Sequence, residues 1–350
     1  MRPGIPPAVL VAAALALGGG WGSGHAAAAS GDAPDLVRLD VLATNEKGLP
    51  VAGLRQQDLR LLVDGVPVSI AAFSQAPPPL VLTVLLDVTV SQWHCPLGMA
   101  GLPSVTRGVG TGGFGLPLPL PKTLNEAQPI QPAIAEFPIR GLRSDDRVRV
   151  GAIGRRLIME DQFTTDRADI DRAWKSFFEL PPVEWLGPSP IWDAAYTSID
   201  AFAREAGLRA LVLISDGEAS GNLHGFREVA ESAALAGVSV SAVAEEAMLP
   251  TVPFVPMAAQ GIDPAKALRQ IAEDTGGAYL LDKATGFPRA PCFSRDPRGS
   301  LSKVLDALHH AYTLQFASSV ADGHPHHVEL QATRPGLNLS YRRTFVRSRE

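Results

Sequence analysis

The sequence has only two cysteines in 350 residues, so at most one disulfide can form. It has no Gly-rich phosphate loop and no Ser, His and Asp at the spacing of a hydrolytic triad. Past about residue 29 it has no long uninterrupted apolar run, which argues against a helical membrane span. No stretch repeats at a fixed period. It carries no excess of positive charge either. Lys and Arg number 31 against 36 Asp and Glu, a formal charge of −5, which argues against nonspecific nucleic-acid binding. What it has in quantity is proline (30), glycine (33) and apolar side chains, 46 % of the total. That composition implies a sizeable core carrying long, ordered or semi-ordered loops. The length suggests one full domain with a smaller module.

The first residues read as an address. Met1 to about Ala29 has one Arg, an apolar stretch from Ala8 to Leu17 and a small-residue run from Ala26 to Ala29. That is the pattern of a secretory signal peptide over residues 1–29, and its apolar stretch is too short to span a membrane. No Cys lies near the expected cleavage site, which argues against a lipid anchor. The expectation is an exported protein, periplasmic or extracellular, with no membrane span once the signal is removed.

The chemistry concentrates at two strand ends. Leu80 to Leu86 (LVLTVLL) is an apolar, β-branched run bounded by turn signals, the mark of a strand covered on both faces. It ends in Asp87-Val88-Thr89-Val90-Ser91. Arg209 to Ser215 (RALVLIS) is a second such run, ending in Asp216-Gly217-Glu218. Between them the loop Gly187-Pro188-Ser189-Pro190-Ile191-Trp192-Asp193 opens a helical pattern. In a doubly wound α/β sheet, ligands sit outside the carboxyl ends of the strands. Carboxylates and hydroxyls without thiolate or imidazole suit a hard cation such as Mg²⁺, Mn²⁺ or Ca²⁺.

In this order the motifs resemble the metal-ion-dependent adhesion site (MIDAS) of von Willebrand factor A-type (VWA) domains. That family carries Asp-x-Ser-x-Ser after its first strand, a Thr on a middle loop and an Asp after its fourth strand. The matching residues are Asp87, Thr89, Ser91, Ser189 and Asp216. Thr89 stands for the family's first Ser and Ser189 for its Thr; both swaps keep the hydroxyl. The resemblance implies that hydroxyls hold the metal directly, that one or both aspartates act through water, and that one place is left for a partner's Asp or Glu. Mg²⁺ or Mn²⁺ fits such a site better than Ca²⁺, because an octahedral ion that keeps its waters welcomes an external carboxylate.

The layout reads as β, then α/β, then β. Val37 to Ala43 alternates, and Asp58 to Phe73 holds two strands around Asp64-Gly65, a strong hairpin signal. Tyr312 to Phe316, His327 to Thr333 and Leu337 to Val346 form a closing set. Neither terminal piece could bury much core alone, so the two are expected to pair into one β-module. The opening LDVLATNEKGLPVAGLRQQDLRLLVDG and the closing HHVELQATRPGLNLSYRRTF resemble bacterial secreted VWFA-related proteins. The expected fold is α/β, a Rossmann-like doubly wound VWA domain over 80–310. It is flanked by a β-module built from 33–77 and 311–350. Within it, Arg147 to Ile153 and Leu157 to Phe163 read as a strand pair, and Thr165 as the cap of a helix through Leu180.

Three loops at the carboxyl ends are long: Gln92 to Lys122, Glu245 to Ile262 and Lys283 to Gly299. They hold apolar residues such as Trp93, Phe114, Phe254 and Phe293, and form an expected partner-binding rim, with Gly108 to Gly115 open to disorder. Cys95 and Cys292 fall in the first and third of these loops. An exported protein permits a disulfide between them, and two free thiols are the alternative. His309-His310 and His324-Pro325-His326-His327 lack the spacing of a zinc site and read as turn and helix-end residues.

The function expected is a non-enzymatic, adhesion-type module that captures an acidic residue of a protein partner at a divalent cation. One alternative is a scaffold with a vestigial site. Another is a Mg²⁺-dependent phosphatase-like hydrolase of the haloacid-dehalogenase type. That chemistry wants a second Asp two residues after the first, where this chain has Thr89.

Overall fold

The computed structural model describes residues 36–89, 122, 137, 139–245, 264–282, 298–318 and 322–346. The expected signal peptide, Ser91, Cys95 and Cys292, and most of the three long loops lie outside the described residues.

The chain opens with strands β1 (Leu36–Thr44), β2 (Leu59–Val63), β3 (Val66–Val68) and β4 (Ile70–Ser74). Asp64 and Gly65 join β2 to β3 with φ of 50° and 78°, both left-handed, as a two-residue hairpin turn requires. The single strand expected from Val66 to Phe73 is in fact two. β3 pairs with β2, and β4 leaves for a different sheet. Pro67 cannot donate to a ladder, and β3 accordingly lies at a sheet edge.

The α/β part follows. Its strands are β5 (Leu80–Asp87), β6 (Arg147–Ile153), β7 (Leu157–Met159), β8 (Leu208–Ser215), β9 (Ser239–Glu245) and β10 (Tyr279–Asp282). Its helices are α1 (Arg167–Ser176), α2 (Pro182–Trp185), α3 (Ile191–Asp200), α4 (Phe226–Ala236), α5 (Pro264–Thr275) and α6 (Arg298–His309). The sheet order is β10-β9-β8-β5-β6-β7, parallel except for the β6–β7 pair. Counting β5 as the first strand, this is the 3-2-1-4-5-6 order of doubly wound folds, whose reversal falls between β5 and β8.

Every residue of β5 is buried, because helices cover both faces. Leu80, Leu82, Val84 and Leu86 pack with Trp174 of α1 and Leu305 of α6. Val81 and Leu85 pack with Ile199 of α3, Val229 of α4 and Leu268 of α5. The cap of α1 is Asp166 and not the expected Thr165. The Asp166 carboxylate accepts from the amides of Ala168 and Asp169, while Thr164 Oγ1 takes the Asp166 amide.

The chain closes with β11 (Tyr312–Ala317), β12 (Pro325–Ala332), β13 (Asn338–Tyr341) and β14 (Thr344–Val346). Two four-stranded sheets result, β13-β1-β11-β4 and β14-β12-β2-β3. Each mixes strands from both ends of the chain, and they share a core that includes Leu39, Leu61, Tyr312, Phe316, Leu330 and Phe345. Arg342 ties this module to the α/β part. Its Nη1 donates to Ala234 O at 2.6 Å and its Nη2 to Arg38 O at 3.1 Å. With Arg209 Nη1 on Ala236 O at 2.8 Å and Gly237 at φ 63°, it satisfies carbonyls that the end of α4 would otherwise leave open.

His326 takes a structural role. His326 Nδ1 meets Asp64 Oδ2 at 2.8 Å and its Nε2 meets Asp322 Oδ1 at 3.0 Å. The hydrogen bonds to Asp64 and then Asp322 hold the imidazole above its ordinary 6.5. A raised folded value means that this contribution to stability is complete below pH 6.5 and is lost as pH rises through the folded value. His326→Asn should therefore lower the thermal midpoint more at pH 6 than at pH 9. An equal loss at both would remove the charge from the account.

Candidate metal centre

Asp87 ends β5, and the ladder carries on one residue further, with Val88 N donating to Ile153 O. The Asp87 side chain is only 4 % exposed. Its Oδ1 accepts from Thr89 N at 3.0 Å and from Thr89 Oγ1 at 2.7 Å. Its Oδ2 accepts from Ser189 Oγ at 3.0 Å and from Ser215 Oγ at 2.8 Å. Hydroxyls from three separate segments thus converge on one carboxylate at the point where the strand order reverses. Thr89, Ser189, Ser215 and Asp216 are all buried. Asp216 follows Ser215 at the end of the neighbouring strand, and its Oδ1 accepts the Glu218 amide at 2.9 Å across Gly217, φ 80°.

Burial pushes the Asp87 carboxyl up, against the opposing bonds from Thr89, Ser215 and Ser189. Glu218 is pushed up as well, by burial and then by the charge of Asp87. Carboxylates therefore crowd one strand-end region whose charged form burial disfavours. A bound cation would reverse that preference.

Four of the five expected residues are within the described chain. Asp87, Thr89 and Ser189 are joined directly by hydrogen bonds, and Asp216 stands on the adjoining strand end. The donor set is oxygen throughout, which fits a hard divalent ion. Among the described residues no group of three or more His, Cys, Asp or Glu side chains is arranged to hold a metal.

Sequence reasoning missed three participants. Ser215 binds Asp87 directly, and its Oγ also accepts Gly217 N at 2.9 Å. Ser220 Oγ accepts Ser189 N at 2.9 Å, and Ser220 N donates to Ser189 O at 2.8 Å. Asn222 Oδ1 accepts the amides opening α3, at 2.8 Å from Trp192 and 3.3 Å from Asp193. Ser215 had a signal, its place directly before Asp216. Ser220 and Asn222 had none, since a cap supplied from another loop follows no spacing.

No protein-family model matches the chain, and no curated protein matches it. Solved structures do. A conserved hypothetical protein, BatB, from Bacteroides thetaiotaomicron aligns over 65 % of this chain and 98 % of its own, with 16 % identity and a TM-score of 0.39. A von Willebrand factor type A structure from Catenulispora acidiphila aligns over 91 % of this chain and 74 % of its own, with 12 % identity and a TM-score of 0.39. Proximal thread matrix protein 1 from the mussel byssus, described with a zinc-occupied MIDAS motif, aligns over 70 % of this chain and 49 % of its own. Its identity is 12 % and its TM-score 0.40. The chain is an α/β protein, and the structures it is similar to include VWA-type ones. At these identities and scores the likenesses say nothing of function.

Proposed function

We propose that the chain is an exported, metal-dependent protein-interaction module of the adhesion type, and not an enzyme. It holds Mg²⁺ or Mn²⁺ at Asp87, Thr89, Ser91, Ser189 and Asp216 and captures an Asp or Glu side chain of a protein partner. The observation that carries this reading is the buried Asp87 carboxylate ringed by the hydroxyls of Thr89, Ser189 and Ser215 at the carboxyl end of the sheet. When bound, the ion supplies a positive charge with a place for an external carboxylate. Asp87 neutralises part of that charge, and the hydroxyls orient the rest of the site. Leu186 and Leu223, 38 % and 89 % exposed, flank the Ser189 loop and offer apolar contact area to the same partner. Thr89 speaks against phosphatase chemistry, since a hydroxyl bound to Asp87 cannot act as the missing acid. Among the described residues no helix is long and apolar enough to cross a membrane.

The test is capture from envelope and culture fractions by the immobilised full chain. Capture should disappear in chelator, return with Mg²⁺ or Mn²⁺, and fall about tenfold or more in Ser189→Ala. A partner held equally well in chelator would favour the scaffold reading. Metal-dependent turnover of a phosphate ester, lost in Asp87→Asn, would favour the hydrolase.

A further inference from the structure

Two loops carry the site's side chains beyond β5: residues 187–190, which lead into α3, and residues 216–225, which lead into α4. Little within the first loop fixes it. Pro188 and Pro190 have no amide to donate, and Pro190, which caps α3, makes no side-chain cap bond. Its anchors come from the second loop. Asn222 Oδ1 takes the amides of Trp192 and Asp193, and Asn222 Nδ2 reaches Ser189 O at 3.5 Å. Asp193 returns the bond across the same gap. Its Oδ1 and Oδ2 each accept the Leu223 amide at 2.9 Å, and its Oδ1 also accepts the His224 amide at 2.8 Å and meets His224 Nδ1 at 2.9 Å. Asn222 thus caps α3, while Asp193 in the first turn of α3 holds the chain just ahead of α4, whose own cap is Gly225 with Glu228. Beside these two sets of bonds lie the paired Ser189–Ser220 bonds. There too Gly221, φ 71°, passes so close to Pro188 that a Cβ would stand 2.9 Å from the proline ring.

We propose that Asn222 and Asp193 are positioning residues, a reciprocal clamp that sets the Ser189 hydroxyl against Asp87 before any metal arrives. The clamp rests on the metal reading above and deepens it. A hydroxyl is a weak ligand whose worth depends on being held in place. Partners one shell out from a metal commonly change affinity by about 10- to 100-fold when removed. Ser189 lies between Pro188, pressed on Gly221, and Pro190, which stands two residues before the Trp192 amide that Asn222 holds. Releasing Asn222 therefore loosens the segment that carries the hydroxyl and leaves the Ser189–Ser220 bonds to hold it.

The test uses the full chain with Mn²⁺ as the probe. Asn222→Ala should weaken Mn²⁺ binding about tenfold or more. Asn222→Asp keeps the acceptor oxygen at a helix start, where carboxylates are favoured, and should restore affinity to within about threefold. Asp166→Ala removes a comparable cap from α1, and should lower the thermal midpoint while leaving Mn²⁺ affinity unchanged. Unchanged affinity in Asn222→Ala, or an equal loss in Asp166→Ala, overturns the proposal. Amide exchange in chelator separates the clamp from the metal. In Asn222→Ala the Ser189 and Ser220 amides should lose protection while those of β5 keep theirs. If the parent chain takes up no Mn²⁺, the metal reading fails and exchange decides the clamp, with retained protection at Ser189 and Ser220 counting against it.

Discussion

Asp87→Asn is expected to separate the site's function from the stability of the fold. The amide keeps one of the two acceptor oxygens, puts an NH2 donor in place of the other for hydroxyls that can turn to accept it, and carries no charge. Mn²⁺ or Mg²⁺ affinity should fall on the order of 100-fold or more, because an anionic oxygen leaves the site altogether. In chelator the same variant should lose less stability than Asp87→Ala, since it keeps one acceptor oxygen and a polar partner for the hydroxyls. Asp87→Ala should behave differently. It leaves the hydroxyls of Thr89, Ser189 and Ser215 without the acceptor they now share, at about 1–3 kcal/mol for each group left unsatisfied. Calorimetric titration read beside thermal unfolding in chelator distinguishes the two. Parent-like affinity in Asp87→Asn would show that the carboxylate does not hold a metal.

The second large effect is expected at the turn from α5 into β10, where Gly276 meets the β-module and Gly277 meets β9. A Cβ on Gly277 would stand 2.0 Å from Val240 O and 2.7 Å from Ser241 N, both backbone of β9. That strand lies inside the sheet, between β8 and β10, and cannot give way as a flexible side chain can. Gly277→Ala should cost about 3 kcal/mol, the upper end of overpacking effects, which lowers the thermal midpoint by roughly 6–12 °C in a domain of this size. At Gly276, φ 79°, the added atom would stand 2.4 Å from Tyr341 C and 2.5 Å from Arg342 N. The same change there should in addition loosen Arg342 from the end of α4. Gly48→Ala is the control, since it shares a positive φ with Gly276 but has nothing within 4 Å. Only the backbone strain of about 1 kcal/mol is expected. Equal losses at Gly48 and Gly277 would show that the close approach is not what matters.

The strand ends at Asp87 and Ser215 were legible because β5 and β8 are covered on both faces, and such strands read as unbroken apolar runs. The Asp64-Gly65 hairpin was legible because few residue pairs tolerate two left-handed positions in succession. Other features depend on contacts that a linear pattern does not carry. Thr164, Thr165 and Asp166 are all acceptable caps by type, and only the backbone angles decide that Asp166 caps while Thr164 braces it. Nothing between Val66 and Phe73 announces that the chain changes sheets after Val68. The place of Ser215 directly before Asp216 puts it near the site, but a serine at the last position of a buried strand looks the same whether it turns to solvent or to Asp87, so its bond was not legible. The clamp of Asn222 and Asp193 joins positions about 30 apart through loops that no periodicity relates. Ser91 and the cysteine pair Cys95 and Cys292 lie outside the described residues.

The most direct measurement is a Mn²⁺ titration of the chelator-stripped full chain, followed by electron paramagnetic resonance of the free ion. The account predicts one saturable site per chain, displaced by Mg²⁺ and lost in Asp87→Asn. Free Mn²⁺ that rises linearly from the first addition, with no bound fraction at millimolar protein, would contradict it.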